Sequence, residues 1–365
     1  MNWDILIFVA FLVIGYLSLI VSRKFHLPEP LILVLLGIAA KFFVNLHLGI
    51  IILLCIILLL FDAGSHFIPR KFDAHSVLMG EFIIYSIIIN SLISAFLFYL
   101  LIGFSIEFVI LSIISGCLIT TCSQFEILKM FKIKKNRLYN LTQLEEHLSN
   151  PIAIVFCILL ISLILELEKN FSVALLNTLN YFIIDIALGI VLGLLSIFIV
   201  VKLLKRSYFR LSAVILSFFC YFLANKLGGS GFLSVIVLSL FFHNIVSKIP
   251  DMDEFDPLVR NIVYIFVYIA LGYMITFNLT IVTIALLLYL FYILFRFILL
   301  KLFFYHHHTF LTLDSPKGTL AISIALLFMI LLPNYTILFS SLLLFFIISI
   351  LISYIINLVF KDIVV

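Results

Sequence analysis

Long runs of uninterrupted apolar residues organise this chain, at about 5–22, 30–47, 49–63, 78–102, 106–131, 141–167, 173–203, 208–226, 229–247, 258–276, 279–302, 310–332 and 335–360. Most approach twenty residues, the length an α-helix needs to cross a hydrocarbon layer of roughly 30 Å. A closed β-barrel would show alternating segments of about ten residues instead. A lipid interior offers no partner to a free peptide group, so the runs predict about thirteen transmembrane helices and an all-α membrane protein.

Two of these runs contain polar interruptions that break helices. Thr120-Thr121-Cys122-Ser123-Gln124 lies in span 5, and Asp314-Ser315-Pro316-Lys317-Gly318 in span 12. With thirteen spans the seventh can act as a connector, and spans 1–6 and 8–13 then enter the membrane in opposite directions, as an inverted repeat does. The expected division is a first repeat over 1–168, a linker helix over 169–205 and a second, inverted repeat over 206–365. Spans 5 and 12 are the fifth members of their halves. Matching breaks in corresponding helices point to an ion site, because unwound backbone and helix ends offer dipoles to a charged ligand. A Pro kink in span 12 and small residues easing packing in span 5 would account for the same pattern without an ion.

Composition agrees with the pattern. Apolar residues make up 65% of the chain and charged residues 11%, and mean hydropathy is +1.36, so the chain could not cover itself with polar surface in water. Placing the amino terminus outside puts Arg23, Lys24, Arg70, Lys71, Lys132, Lys134, Lys135, Arg137, Lys202, Lys205, Arg206, Arg210, Lys248 and Lys361 on the cytoplasmic face, leaving Lys41, Lys169 and Lys226 opposite. The positive-inside rule therefore predicts a multi-pass cell-membrane protein with an outer amino terminus and a cytoplasmic carboxyl terminus. Topology also explains the net charge of +4, and nothing calls for nucleic acid as a partner. The charges of the opening stretch, Arg23 and Lys24, follow its apolar run and no small-residue cleavage site is present, so it reads as a retained span. Cys55, Cys117, Cys122, Cys157 and Cys220 all lie in apolar runs without metal-ligand spacing, and predict neither disulfides nor a metal or cofactor site.

A charge at the centre of a bilayer costs about 2.5–3.5 kcal/mol on insertion scales, so each one needs a partner or a task. Gln143, Glu145, Glu146, His147, Ser149, Asn150 and Pro151 open the very apolar span 6, and Arg296 sits within span 11. A Glu–Arg ion pair between the two spans is the simplest account; such a pair either ties helices together or borders and tunes an ion site. Asp185 lies either at membrane depth in span 7 or near its outer end. His306-His307-His308 reads as an interfacial loop, and Asp62, Glu81 and Glu126 as groups solvated near cytoplasmic ends. Gly228-Gly229-Ser230-Gly231 follows no strand and is no phosphate loop. An enzyme is not indicated: Gly-x-Ser-x-Gly, paired-Asp and His-x-x-Glu-His motifs are all missing.

Several segments together resemble the monovalent cation/proton antiporter superfamily, the sodium/proton exchangers. They are LLLFDAG at 58–64, LGGSGFLSVIVLSLFFHN at 227–244, the end of span 5 leading into Glu145–Val155, Arg296, and Pro316-Lys317-Gly318. The resemblance implies crossed, unwound helices 5 and 12 and a dimer scaffold of spans 1–3 and 8–10. It also implies a mobile core of spans 4–6 and 11–13 that moves like an elevator. It further implies a site built from a Thr-Asp pair on helix 5 and a Glu-Ser-x-x-Asn-Asp motif on helix 6. Thr121 fits the Thr, with Cys122 where the Asp would stand. An ungapped match sets Glu145 on the motif's Glu and Ser149-Asn150 on its Asn-Asp. Skipping one residue sets Glu146 there instead and aligns Ser149-Asn150-Pro151 with a Ser-Asn-Asp-Pro variant that has lost its Asp. Arg296 matches the Arg that pairs with the motif Glu, and Lys317 takes the place of an Arg on helix 12.

The reading is thus a homodimeric secondary transporter that exchanges Na⁺, or K⁺, for H⁺ across the lipid bilayer. Thr121, Ser123, Ser149 and Asn150 would supply oxygens, Glu145 or Glu146 would titrate, and Arg296 and Lys317 would balance charge. Asn150 can offer a carbonyl oxygen but no proton. For that reason an uncoupled or other-solute transporter, or a non-transporting membrane sensor or partner protein of the same fold, stands as the alternative.

Overall fold

Deprived of water, a backbone can satisfy its own amides only by coiling, and the apolar runs do so. The computed structural model describes residues 11–20, 28–43, 48–66, 74–123, 137–167, 171–203, 209–246, 257–304, 311–312 and 315–364. Among these residues are thirteen α-helices and no strand. They are α1 (Phe11–Ile20), α2 (Glu29–Ala40), α3 (Gly49–His66), α4 (Ala74–Ile102), α5 (Ile106–Thr120), α6 (Arg137–Glu166), α7 (Phe171–Leu203), α8 (Phe209–Lys226), α9 (Phe232–Val246), α10 (Pro257–Met274), α11 (Leu279–Phe303), α12 (Thr319–Leu331) and α13 (Thr336–Val364). Five of them, α4, α6, α7, α11 and α13, are each long and apolar enough to cross a membrane alone. The chain is a multi-pass membrane protein. Leu92 and Phe96 on α4 and Leu290 on α11 are 64–66% exposed, an aggregation hazard in water and an ordinary lipid-facing surface in a bilayer.

Helices α5 and α12 are short for a physical reason. Span 5 was expected to run to 131, but the helix stops at Thr120, and Thr121 is already extended at φ −58°, ψ 147°. Span 12 is expected from 310; residues 311–312 are helical, and after the break the helix resumes at Thr319, following the extended Gly318. Pro316 has no amide hydrogen and disfavours helix in the residue before it, which accounts for the second break. Gln124, Glu126, His306, His307, His308 and Asp314 lie outside the described residues.

Part of the helix pairing is shared between the two halves of the chain. Exchanging α1–α6 with α8–α13 turns the α2–α10 contact into α9–α3, α5–α6 into α12–α13, and α4–α6 into α11–α13, and all six pairs are packed. Small residues set two of these crossings. A Cβ at Gly37 would overlap the Ile269 carbonyl oxygen and one at Gly272 that of Val34, while one at Gly64 would overlap the Ser239 hydroxyl. Without a hydrophobic drive between helices in lipid, such close approach supplies the packing energy. Asp62 of α3 pairs with Arg260 of α10 at 3.0 Å, and Glu81 is exposed.

Asp185 answers the question raised by its place in span 7. It is buried on α7 and accepts hydrogen bonds from the Ser230 amide at 3.2 Å, the Ser230 hydroxyl and the Gly231 amide at 3.1 Å. The glycine-rich turn is therefore the entry to α9, tied to α7 by a carboxylate. Gly228 and Gly231 hold φ of 91° and 79°, values a side chain rarely adopts.

Candidate ion-binding site

The two broken helices meet. The Ser123 amide donates to the Pro316 carbonyl at 2.9 Å, so the non-helical segments after α5 and before α12 are joined through backbone. At Gly318 a Cβ would come within 3.0 Å of the Ser123 Cβ, so a larger residue there would have to push the Ser123 side chain aside. Lys317 is 1% exposed; its ammonium donates to the Thr121 carbonyl at 2.9 Å and to the Tyr292 hydroxyl at 2.8 Å. The same nitrogen lies 4.2 Å from the centre of the Tyr292 ring. A buried ammonium is tolerated only with such partners, and here it pins helix 12 to helix 5 at the point where both are unwound.

A second buried cation lies one turn of α11 away. Arg296 follows Tyr292 by four residues, hence on the same face. One of its terminal nitrogens sits 2.7 Å from Glu145 Oε1 and donates to Oε2 at 3.0 Å, while its Nε donates to the Leu311 carbonyl at 3.0 Å. Glu145 is 1% exposed and Arg296 4%. The pair thus ties α6, α11 and the segment leading into the α12 break.

Glu146 points elsewhere. One residue on, it is turned about 100° around α6, is only partly buried, and lies 3.4 Å from the Ser123 hydroxyl across the crossing. Glu146, Ser149 and Asn150 are spaced i, i+3, i+4 and share one face. Ser149 is buried, and its hydroxyl has no hydrogen-bond partner among the described residues. Pro151 stands inside α6 and cannot bond back to the His147 carbonyl, which weakens the helix beside the site. Thr121 turns its hydroxyl to the Leu118 carbonyl at 2.7 Å, leaving its backbone oxygen to Lys317. Cys122 is fully buried within the crossing.

Every anticipated site residue is therefore near the crossing: Thr121, Ser123 and Lys317 within it, Glu146, Ser149 and Asn150 along its α6 side, and Glu145 with Arg296 behind. Tyr292 was missed. The signal was available in its position four residues before a membrane-buried Arg. Asn90 was missed too; on α4, it donates at 3.0 Å to the hydroxyl of Thr120, the first residue of the interruption, and holds the last turn of α5. Among the described residues no group of His, Cys, Asp and Glu is arranged to hold a metal ion.

The whole architecture has known counterparts. A structure of the sodium proton antiporter MjNhaP1 from Methanocaldococcus jannaschii at pH 8 superposes with a TM-score of 0.75 at 17% identity, covering 98% of this chain and 99% of the other. An electron-microscopy structure of the same antiporter gives 0.73 at 18% identity, covering 100% and 97%. At these identities the likeness establishes the fold. No curated protein sequence matches. The profile described as "Sodium/hydrogen exchanger, transmembrane" matches residues 7–361. With a match over nearly the entire chain, this protein belongs to the sodium/hydrogen exchanger family, a family of transporters and not of enzymes.

Proposed function

We propose that this chain exchanges a monovalent cation, Na⁺ first and K⁺ second, for protons, and that Glu146 carries the titrating proton. The observation that supports this is the division of labour between adjacent carboxylates. Glu145 is engaged by Arg296 in the core, whereas Glu146 lies across from Ser123 at the crossing of the broken helices. Ionised Glu146, with the oxygens of Ser123, Ser149 and Asn150, offers a cation one charge and several neutral ligands. Protonated, it offers no charge and releases the ion. A single carboxylate that holds either a cation or a proton is enough for exchange. Arg296 and Lys317 hold the frame and balance its charge. Cys122 and Asn150 add no carboxylate, so in this chain Glu146 does the task alone.

The wider reading follows the symmetry of the fold. A first repeat over 1–168, a linker over 169–205 and an inverted repeat over 206–365 give a scaffold of α1–α3 and α8–α10, through which two copies dimerise, and a core of α4–α6 and α11–α13. The core carries the crossing past the scaffold like an elevator. The basic loops face the cytoplasm, together with the carboxyl terminus.

Proton flux in liposomes holding the purified protein tests the reading, with Na⁺, K⁺ or Li⁺ added to a preset pH gradient. The expected result is a cation-specific collapse of the gradient that Glu146→Gln abolishes in well-folded protein. Flux surviving Glu146→Gln would sink the residue assignment. Ion uptake indifferent to the pH gradient would establish uncoupled transport, which Cys122 and Asn150 favour.

A further inference from the structure

Helices α4, α5 and α11 enclose a small cavity of about 10 Å³, roughly the room that a single water needs. Five of its lining residues are polar: Ser86 and Asn90 of α4, Thr120 at the end of α5, and Tyr292 and Arg296 of α11. Apolar side chains close the rest. Ser86 and Asn90 stand four residues apart, on one face of α4, and all five polar residues are buried. Polar groups so deep in a membrane protein need partners.

The bonds these residues already make fix what each has left to offer. The Thr120 hydroxyl donates its one proton to the Gly116 carbonyl at 2.8 Å, so towards Asn90 it can only accept. The Asn90 side chain therefore turns its nitrogen to Thr120, at 3.0 Å, and keeps its carbonyl oxygen for another donor. The Tyr292 hydroxyl accepts from the Lys317 ammonium at 2.8 Å. An ammonium has only protons to give, so the phenol's own proton still needs an acceptor. Arg296 carries five N–H groups, and its bonds to Leu311 and Glu145 come from Nε and one terminal nitrogen. The cavity thus brings donors of α11 to face acceptors of α4.

We infer that this cavity binds one internal water, and that Ser86 and Asn90 act through it as positioning residues for the ion site. The water accepts from Arg296 and from the Tyr292 hydroxyl, and donates to the Asn90 carbonyl and the Ser86 oxygen, a complete tetrahedral set. Charge and size exclude other occupants: a cation would stand against the guanidinium, and chloride is too large for the space. Two routes run from the water to the crossing. One passes through Tyr292 to Lys317 and the Thr121 carbonyl. The other passes through Asn90 to Thr120, the last helical residue of α5. Without the water, Tyr292 and Asn90 would each be short of a partner, and both holds on residues 120–121 would loosen. The positioning role rests on the exchange function proposed above; the binding of the water does not.

The first arm of the test needs no transport. In liposomes holding the full chain, a millisecond X-ray pulse makes hydroxyl radicals from water, and a radical formed inside the protein oxidises the side chain beside it. Tyr292 is 2% exposed, and Tyr268, on α10 and outside this cavity, is 3% exposed. Mass spectrometry should find Tyr292 oxidised severalfold faster than Tyr268. Ser86→Val, which fills the space with a methyl group, should abolish that excess; Ser86→Ala, which leaves the space open, should keep it. Equal oxidation of the two tyrosines in the wild type, or an excess that survives Ser86→Val, would overturn the water site. In the second arm, Ser86→Val should raise the apparent KM for the cation about three- to tenfold, with the maximal rate within about twofold of wild type. Ser86→Ala should stay near the wild type. A melting temperature and maximal rate lowered together in Ser86→Val, with KM unchanged, would make the residue a packing element and overturn the positioning role. Should the wild type exchange nothing, that role falls with the exchange reading, and the oxidation arm still decides the water.

Discussion

Removing the Glu145 carboxylate would leave the Arg296 guanidinium deep in the core with its charge unbalanced, held by the neutral Leu311 carbonyl. We expect Glu145→Gln to cost about 3–5 kcal/mol, seen as a lower melting temperature in detergent, and the double substitution Glu145→Leu/Arg296→Met to recover most of it. Glu146→Gln should leave the melting temperature close to that of the wild type while abolishing exchange, since that carboxylate is only partly buried and faces the Ser123 hydroxyl, not a buried cation. The sequence made a Glu–Arg pair between spans 6 and 11 the simplest account of their buried charges, and the pair is present. It did not show which Glu, since the choice depends on how α6 is rotated against α11, a property of packing and not of spacing. Lys317 was legible as a substitution in a family pattern, but its bonds to Thr121 and Tyr292 depend on two chain segments meeting.

At the scale of the helix, glycines divide into two kinds. Gly37 and Gly272 lie where α2 and α10 touch backbone to backbone, and a methyl at either has no room. Gly80, inside α4, has nothing within 4 Å of an added Cβ. Gly37→Ala should therefore lower thermal stability, and Gly80→Ala should raise it slightly, by up to about 1 kcal/mol of helix propensity. A common sign for both in a melting experiment would contradict the crossing geometry. Asp185 offers a further check at this scale. Asp185→Ala strips three hydrogen bonds from the turn into α9, and we expect a loss of about 1–3 kcal/mol. Helix existence and type were readable from the length of the apolar runs alone. The ends of α5 and α12 were readable only as breaks: Pro316 marks the second one locally, but the path of residues 121–123 and 315–318 also depends on the bond between the two segments. Asp185 was not readable, since its partners lie 45 and 46 positions downstream.

For the whole molecule, the decisive property is how the two proposed bodies touch. Helix α12 packs on α3 and α10, and α6 on α3 and α9, through surfaces that include Ile56, Ile324 and Phe328, which line a cavity of about 330 Å³. Joining Ile56→Cys to Phe328→Cys with a short bifunctional thiol reagent should stop exchange by an elevator, whereas a bridge between α5 and α6, both in the core, should not. Exchange that persists through the first bridge would rule out relative sliding. The inverted arrangement was visible in the sequence as two interruptions at matching places, and the contact symmetry of α2–α10 with α3–α9 has the same origin. The bond from the Ser123 amide to the Pro316 carbonyl has a consequence for redesign. It is made by backbone atoms, which every residue but proline can supply at position 123, so it is largely blind to what the other side chains become. The frame of the crossing should then survive exchanges of chemistry within it, and Cys122→Asp or Asn150→Asp can be introduced as new cargo specifications on an unchanged chassis.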